Sequence, residues 1–387
     1  MSKKFELVYI KKRKKIKVIV EILFIKIFFL FMRFLGWSPR LSDVRQTKNI
    51  LVIRHNQLGD AVAASSFLQA LKDYFPSAIV DVVASASNKD VFSWVPGVNE
   101  VLVVPMGDIK RLCFFWRLRG KYDLVFQTLL DENYFRRGFL ARIAASHGRL
   151  VGRRRGSPLE NLMDYPVYMP AGSYVGKLMS MITPFVNLTA DDLVKKYPKH
   201  VIFLPEKFSI EAYKKLNSSK LENKNFIAFN ISAREKFRQI GTNQAIEIIT
   251  DFLCSGVKVC LFYAPEDSLR AIEIIRHAPG VVDCRFASLA ESMAALSFSR
   301  LYIGPDTGAA HFAAAAQTPC LVLFADKARP DIWAPYGVPC ISIQPAIGGS
   351  VMDIPRRLIL SKANELLSGI KKFEILRAPP DNFPPFS

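Results

Sequence analysis

Leu301–Phe324, LYIGPDTGAAHFAAAAQTPCLVLF, reads as a short apolar strand, a Gly-Pro-Asp-Thr-Gly turn, a helix of small residues and a second apolar strand. Gly304 and Gly308 allow φ angles or close approaches that a Cβ would obstruct. Asp306 and Thr307 are N-cap candidates for the Ala-rich run Ala309–Ala316. Backbone N–H groups at such a helix start form an anion site, and His311, one turn in, brings an imidazole within reach of the same anion. The alanines leave room for something large to approach the helix. A packed βαβ unit with a capped helix and a buried histidine would use the same residues without any ligand. The stretch therefore decides the fold before it decides the chemistry.

Outward from this stretch the α/β alternation continues. Upstream, strand cores at Ile50–Arg54, Ile79–Ala84, Val101–Val104 and Leu124–Phe126 are separated by helices at Ala61–Tyr74, around Asn88–Trp94 and at Ile109–Leu118. A basic loop follows, Gly152-Arg153-Arg154-Arg155-Gly156. Residues 157–220 are rich in Pro, Tyr and Lys with weak periodicity, which puts a domain junction there. The pattern restarts at Phe226–Asn230, with helix Asn243–Ser255, strand Lys258–Tyr263, helix Ser268–His277, a short strand near Val281–Cys284 and helix Leu289–Ser297. Ile354–Leu367 reads as a helix and Ala378–Ser387 as a Pro-rich, frayed tail. Strands alternating with helices specify parallel, doubly wound sheets, so the chain contains two Rossmann-like halves. Neither half has a G-x-G-x-x-G fingerprint or a Walker A loop.

Half of the 387 residues are apolar and 12% aromatic, enough for a substantial core and against global disorder. The six cysteines show no C-x-x-C pairing and several lie in apolar runs, which suits reduced thiols of a cytosolic protein. The five histidines have no metal-ligand spacing, so no metal or other cofactor is expected.

The net charge of +19 is uneven: residues 1–48 hold 13 Lys/Arg against 3 Asp/Glu. The basic run Lys11–Lys17 precedes the apolar run Val18–Leu35, which Glu21, Lys26 and Arg33 interrupt. That run is too short and too charged for a comfortable membrane span, and Phe34-Leu35-Gly36-Trp37 is a poor signal cleavage site. It reads as an amphipathic helix in the membrane interface, with cations on anionic lipid. Docking of the helix on the protein's own surface is the simpler reading, and the apolar density exceeds what one docked face needs. Nucleic acid is disfavoured, because stacking aromatics do not interleave with the basic cluster.

Three strand-to-helix turns carry the candidate chemistry, at the position where doubly wound folds hold ligands. The first is Arg54-His55-Asn56-Gln57-Leu58-Gly59-Asp60, where Asp60 either caps a helix or serves as a base. The second is Asn230–Arg238, whose Ser232, Arg234, Lys236 and Arg238 suit a phosphate ligand, or else form a solvated basic loop. The third is Asp306–His311.

Together these turns resemble glycosyltransferase family 9, the bacterial heptosyltransferases. The likeness lies in Leu58-Gly59-Asp60, Asn230-Ile231-Ser232-Ala233, Gly304-Pro305-Asp306-Thr307-Gly308 with His311, Thr318-Pro319, Leu323-Phe324 and Trp333-Ala334-Pro335-Tyr336-Gly337. It runs from about Asn49 to Gly337 in matching order; Phe237 and Ile240 depart from the Trp-Pro that more often ends the second motif.

The resemblance implies a GT-B fold, two Rossmann-like domains facing a cleft, with the acceptor on the N-terminal domain and the nucleotide-sugar donor on the C-terminal one. It implies an inverting, metal-independent transfer of a heptose or related sugar, from ADP-heptose, to a lipid-linked lipopolysaccharide core acceptor. Asp60 would be the catalytic base. Ser232, Arg234, Lys236, Arg238, Asp306, Thr307, Gly308 and His311 would bind the donor. Arg153, Arg154 and Arg155 would meet the acceptor's carboxylates or phosphates, unless they form an ordinary solvated loop.

The expected organisation is a membrane-interface segment and linker (1–48), an acceptor domain (49–200), a nucleotide-sugar domain (201–350) and a C-terminal helix and tail (351–387). The expected location is cytoplasmic, attached peripherally to the inner face of the cytoplasmic membrane. Two rival readings use the same fold: a nucleotide-sugar epimerase or hydrolase, and a non-catalytic nucleotide-sugar or lipid-binding protein.

Overall fold

Asn49–Ile53 (β1), four apolar residues behind an asparagine, start a sheet whose central strands are buried on both faces, as parallel sheets require. The computed structural model describes residues 44–129, 134–154, 160, 162–369 and 373–377, together with Leu23, Ile27 and Leu30. The chain divides into two compact units. The first draws on Met1–Gln57, Phe67–Ala171 and Gly176–Tyr197, the second on Leu58–Ser66, Gly172–Val175 and Pro198–Ser387.

In the first unit β1 is joined by Ile79–Ala84 (β2), Val98–Val103 (β3), Leu124–Gln127 (β4), Arg149–Arg153 (β5) and Tyr165–Val167 (β6). Their order is β3-β2-β1-β4-β5-β6, and every pair is parallel. That order is the dinucleotide-type one, and it reverses direction at the boundary of β1 and β4. Ile50 faces Val80 on one side and Leu124 on the other, and the cross-strand core packs on Phe115, Leu118 and Leu150.

The Gly152–Gly156 loop expected from the sequence is corrected in part. Gly152 and Arg153 belong to β5, which pairs with both β4 and β6. What holds this strand is non-local: Asp164 accepts from buried Arg142 at 2.6 Å and from the Leu150 N–H at 2.7 Å. The stretch expected to have weak periodicity also contains helices Tyr174–Met179, Ala190–Lys196 and Glu206–Ser218.

The second unit repeats the plan. Its strands are Phe226–Asn230 (β7), Lys258–Phe262 (β8), Val282–Asp283 (β9), Leu301–Pro305 (β10), Cys320–Leu323 (β11), Cys340–Gln344 (β12) and Phe373–Arg377 (β13). They run in the order β13-β12-β11-β10-β7-β8-β9, all parallel, with the reversal between β7 and β10. Helices Thr242–Cys254 and Arg356–Leu367 bury Ile248, Ile249, Ile359 and Ala363 against Phe229, Ile303 and Leu321.

The expectation of six reduced cysteines is corrected at one place. Cys260 on β8 and Cys284, just beyond β9, are joined as a disulfide, with their Cα atoms 5.8 Å apart. The strands are parallel with Val282 opposite Cys260, and Cys284 follows two residues on. Cys113, Cys254, Cys320 and Cys340 are free thiols.

Among the described residues no helix is long and apolar enough to cross a membrane. Most of the expected interface segment lies outside the described residues. Leu23, Ile27 and Leu30 are helical and exposed, at a spacing that puts them on one helix face. The expected frayed tail and Arg155 also lie outside the described residues.

Candidate functional site in the second unit

The Gly-Pro-Asp-Thr-Gly turn leaves the C-terminal end of β10, where the second sheet's strand order reverses. Helix Gly308–Ala315 starts directly after it. Thr307 takes the N-cap position in extended conformation, yet its side chain makes no capping hydrogen bond. The helix start thus keeps its positive end for something other than a side-chain cap. Gly304 is required by its neighbours: a Cβ there would lie 2.6 Å from the Tyr302 hydroxyl. That hydroxyl in turn accepts from Asn230 Nδ2 at 3.1 Å, which ties the end of β7 to the neighbouring strand β10.

A second helix start meets the first. Leu58–Ser66 opens helix Leu58–Tyr74 and belongs to the second unit. A Cβ on Gly308 would stand 3.4 Å from the Gly59 N, and one on Gly59 would stand 2.7 Å from His311 Cδ2. Two glycines at the crossing let the two N-terminal turns approach backbone to backbone. Asp60 and His311 are buried as a consequence, with exposures of 9% and 7%.

The electrostatics follow from this crowding. Burial pushes Asp306 up to about 6; Arg238 opposes the shift, while Glu235 and Asp60 reinforce it. Burial pulls His311 down to about 4 against the pull of Asp60, so its imidazole is neutral near pH 7. Arg238 donates to Asp306 Oδ2 at 2.8 Å, bonds the Asp306 carbonyl as well, and reaches Glu235 at 3.2 Å. Its charge is committed to carboxylates, whereas Arg234 and Lys236 are exposed on the same loop. Ser232 Oγ accepts from the Ala264 N–H at 2.8 Å, which fastens the loop after β7 to the loop after β8.

The structure therefore brings Asp60, Arg238, Asp306, Thr307, Gly308 and His311 into one neighbourhood of the second unit. Arg153 and Arg154 stand elsewhere, in the first unit: Arg153 ends β5, and the exposed Arg154 lies 3.6 Å from Glu160. Sequence reasoning missed His200. It is 5% exposed, edge-on to Tyr336 at 5.7 Å, and pulled down to about 3 by burial and by His311. The only sequence signal for it was a histidine standing before an apolar run.

The sequence pattern of glycosyltransferase family 9 (heptosyltransferase) matches residues 112–345, well over half of the chain. The chain belongs to glycosyltransferase family 9. It is similar to the lipooligosaccharide heptosyltransferase 2 of Haemophilus ducreyi, 24% identical over 369 residues that cover 82% of this chain and 99% of that protein. Among solved structures, a family 9 glycosyltransferase from Veillonella parvula superposes with a TM-score of 0.71 at 19% identity, covering 83% of this chain and 97% of that one. The Escherichia coli ADP-heptose LPS heptosyltransferase II superposes with a TM-score of 0.66 at 23% identity, covering 83% and 99%. These likenesses confirm the fold class, two parallel α/β domains of the GT-B kind. Family membership makes this protein a glycosyltransferase and disfavours the epimerase, hydrolase and non-catalytic readings. Its Asp-Thr-Gly turn and His311 lie inside the matched residues; Asp60 lies upstream of them.

Proposed function

We propose that this glycosyltransferase moves a heptose from ADP-heptose to a lipopolysaccharide core acceptor, with inversion and without a metal. The observation that carries the reading is the meeting of Asp60, Asp306 and His311 at an uncapped helix start. Asp60 takes the proton of the acceptor hydroxyl as that oxygen attacks the anomeric carbon. The bond from that carbon to the diphosphate breaks in the same displacement, and the nucleoside diphosphate leaves. Its growing charge falls on the N–H groups at Gly308, on His311 as a neutral hydrogen-bond donor, and on Arg234 and Lys236. Charge-assisted hydrogen bonds of this kind contribute about 1.5–3 kcal/mol each. Arg238 holds Asp306 in place rather than reading phosphate alone. Ser232 fixes the loop that carries the cations. Arg153, Arg154 and Arg155 serve an anionic acceptor.

Donor and acceptor are supported by the relatives' names: the E. coli neighbour is named for ADP-heptose and LPS, and the H. ducreyi protein for lipooligosaccharide. A lipid-linked acceptor fits a chain whose first 48 residues carry its densest positive charge. Peripheral attachment to the inner face of the cytoplasmic membrane is further supported by the exposed face of Leu23, Ile27 and Leu30.

Asp60→Asn tests the reading. Transfer should fall by at least about 10², the lower end for loss of a general base, while calorimetry shows donor binding retained. Turnover near that of the parent would remove Asp60 as base, and collapse of donor binding would make it structural. Activity should survive EDTA; strict dependence on a divalent ion would contradict the charge scheme.

A further inference from the structure

Cys260 lies within β8 and Cys284 directly past β9, so their bond crosses the edge of the second sheet. β9 is the outermost strand on that side and two residues long, which leaves backbone pairing a weak hold on this edge. The Cys284 N–H donates to the Leu261 carbonyl at 3.3 Å, a long bond. Beyond it the chain runs Arg285-Phe286-Ala287, with Arg285 and Ala287 exposed. It is caught again at Ser288. There the Ala287 N–H donates to Glu291 Oε2 at 3.1 Å, and Ser288 Oγ accepts from the Glu291 N–H at 3.2 Å as N-cap of helix Leu289–Phe298. The covalent link at Cys284 is thus the near anchor of residues 285–287, and the capped helix is the far one.

This loop borders the C-terminal edge of the second sheet. The Phe286 ring lies 5.4 Å from that of Phe262, the last residue of β8. The Phe262 carbonyl accepts from the Ile231 N–H at 3.2 Å. Two residues on, the Ala264 N–H donates to Ser232, in the loop that carries Arg234 and Lys236. One ring pair therefore links the loop at Cys284 to the loop assigned to the donor diphosphate.

The other cysteines are placed differently. Cys320 and Cys340 stand opposite each other on β11 and β12 as free thiols, and burial pushes both up, away from the reactive thiolate. Cys113 and Cys254 are exposed free thiols. A protein that uses a nucleotide sugar at the inner face of the cytoplasmic membrane works in a reducing compartment. Disulfides found there are usually transient and redox-sensing.

We propose that Cys260 and Cys284 form a reversible thiol–disulfide pair that governs donor binding: bonded, they hold residues 285–287 against Phe262, and reduced, they release them and weaken the diphosphate site. The proposal rests on the donor and location readings above and adds a modification site to them. The reagent is a low-molecular-weight disulfide such as oxidised glutathione. The Cys284 thiolate attacks one of its sulfurs, the reagent's S–S bond breaks, and one glutathione leaves as thiolate. The Cys260 thiolate then attacks the Cys284 sulfur and expels the second glutathione. Two protein thiols are oxidised, one small disulfide is reduced to two thiols, and the protons of Cys260 and Cys284 pass to the departing thiolates.

The test uses the full-length protein, equilibrated under native conditions with oxidised glutathione or with dithiothreitol. Peptide masses after alkylation of free thiols should show Cys260 joined to Cys284 in the first state and both alkylated in the second. Backbone amides of residues 285–287 should exchange hydrogen faster in the reduced state. Calorimetry should show ADP bound at least about threefold more weakly there, because the loop must be ordered on binding. Cys284→Ser and Cys260→Ala should match the reduced parent and ignore the oxidant, which sets aside Cys113 and Cys254. The two states of the parent carry the test even if a variant fails to fold. A pair that stays bonded in dithiothreitol or fails to join in oxidised glutathione overturns the proposal. So does equal amide exchange in the two states, or equal measurable ADP affinity. A loop that responds to oxidation in a protein that binds no ADP in either state would sink the donor reading and leave the redox pair standing.

Discussion

Asp306 sits between opposed influences: burial, Glu235 and Asp60 favour its neutral form, and only Arg238 favours the charged one. Burial wins in part, and the carboxyl titrates at about 6 rather than in the usual range. Its ionised form, the one that holds Arg238, is therefore present above about 6 and lost as pH falls through it. A carboxyl raised on folding adds stability at low pH and gives it up as pH rises through that value, so the ionised site is kept at the fold's expense. The kcat/KM profile should accordingly show an acidic limb with an apparent pKa of about 6. His311 cannot produce that limb, since it titrates at about 4. Asp306→Asn should be slower than the parent and flat through this range; an unchanged limb in that variant would assign it to another group.

The two helix starts at Gly59 and Gly308 form the element on which the site depends. Their tolerances differ. A Cβ on Gly59 meets the His311 ring at 2.7 Å, whereas one on Gly308 meets Leu58 Cβ at 3.3 Å. Gly59→Ala must shift a buried ring, and overpacking of that kind costs about 1–3 kcal/mol. Gly308→Ala should cost less, because only small adjustments are needed. Urea unfolding of both variants checks the ranking, and a Gly59→Ala protein as stable as the parent would refute it. Elements of this kind were readable where the chain itself supplies the signal: Ile79–Ala84, Phe226–Asn230 and Ser268–His277 have the bounds that their apolar runs and breakers suggest. Arg149–Arg153 and Tyr165–Val167 were not readable, because arginines and a proline mask them and Asp164 with Arg142 holds them together. The site divides the same way. Asp60, Asp306 and His311 are visible as turn residues, but the bond from Arg238 to Asp306 joins positions 68 residues apart and has no local signature.

At the scale of the whole molecule the charge of the first 48 residues and the exposed face of Leu23, Ile27 and Leu30 bear on one expectation. Each Lys or Arg near an anionic leaflet contributes on the order of 1 kcal/mol, screened by salt, and inserted apolar side chains add a part that salt does not weaken. Full-length protein should float with anionic vesicles, less so in high salt, and a chain beginning at Ser42 should not. Equal flotation of both would place the membrane contact elsewhere. The division of the chain into units has a further result, in time rather than in space. The second unit takes Leu58–Ser66 from far upstream of the rest of its sequence. During synthesis, Gly59 leaves the ribosome long before its neighbour Gly308 exists. At about 5–20 residues added per second the wait is on the order of tens of seconds. Nascent chains halted before Gly308 should be cut by protease within Leu58–Ser66, and completed chains should resist there. Asp60 is thus made early and gains its neighbours Gly308 and His311 only when synthesis is nearly finished, so a prematurely ended chain carries Asp60 without the helix start it packs beside.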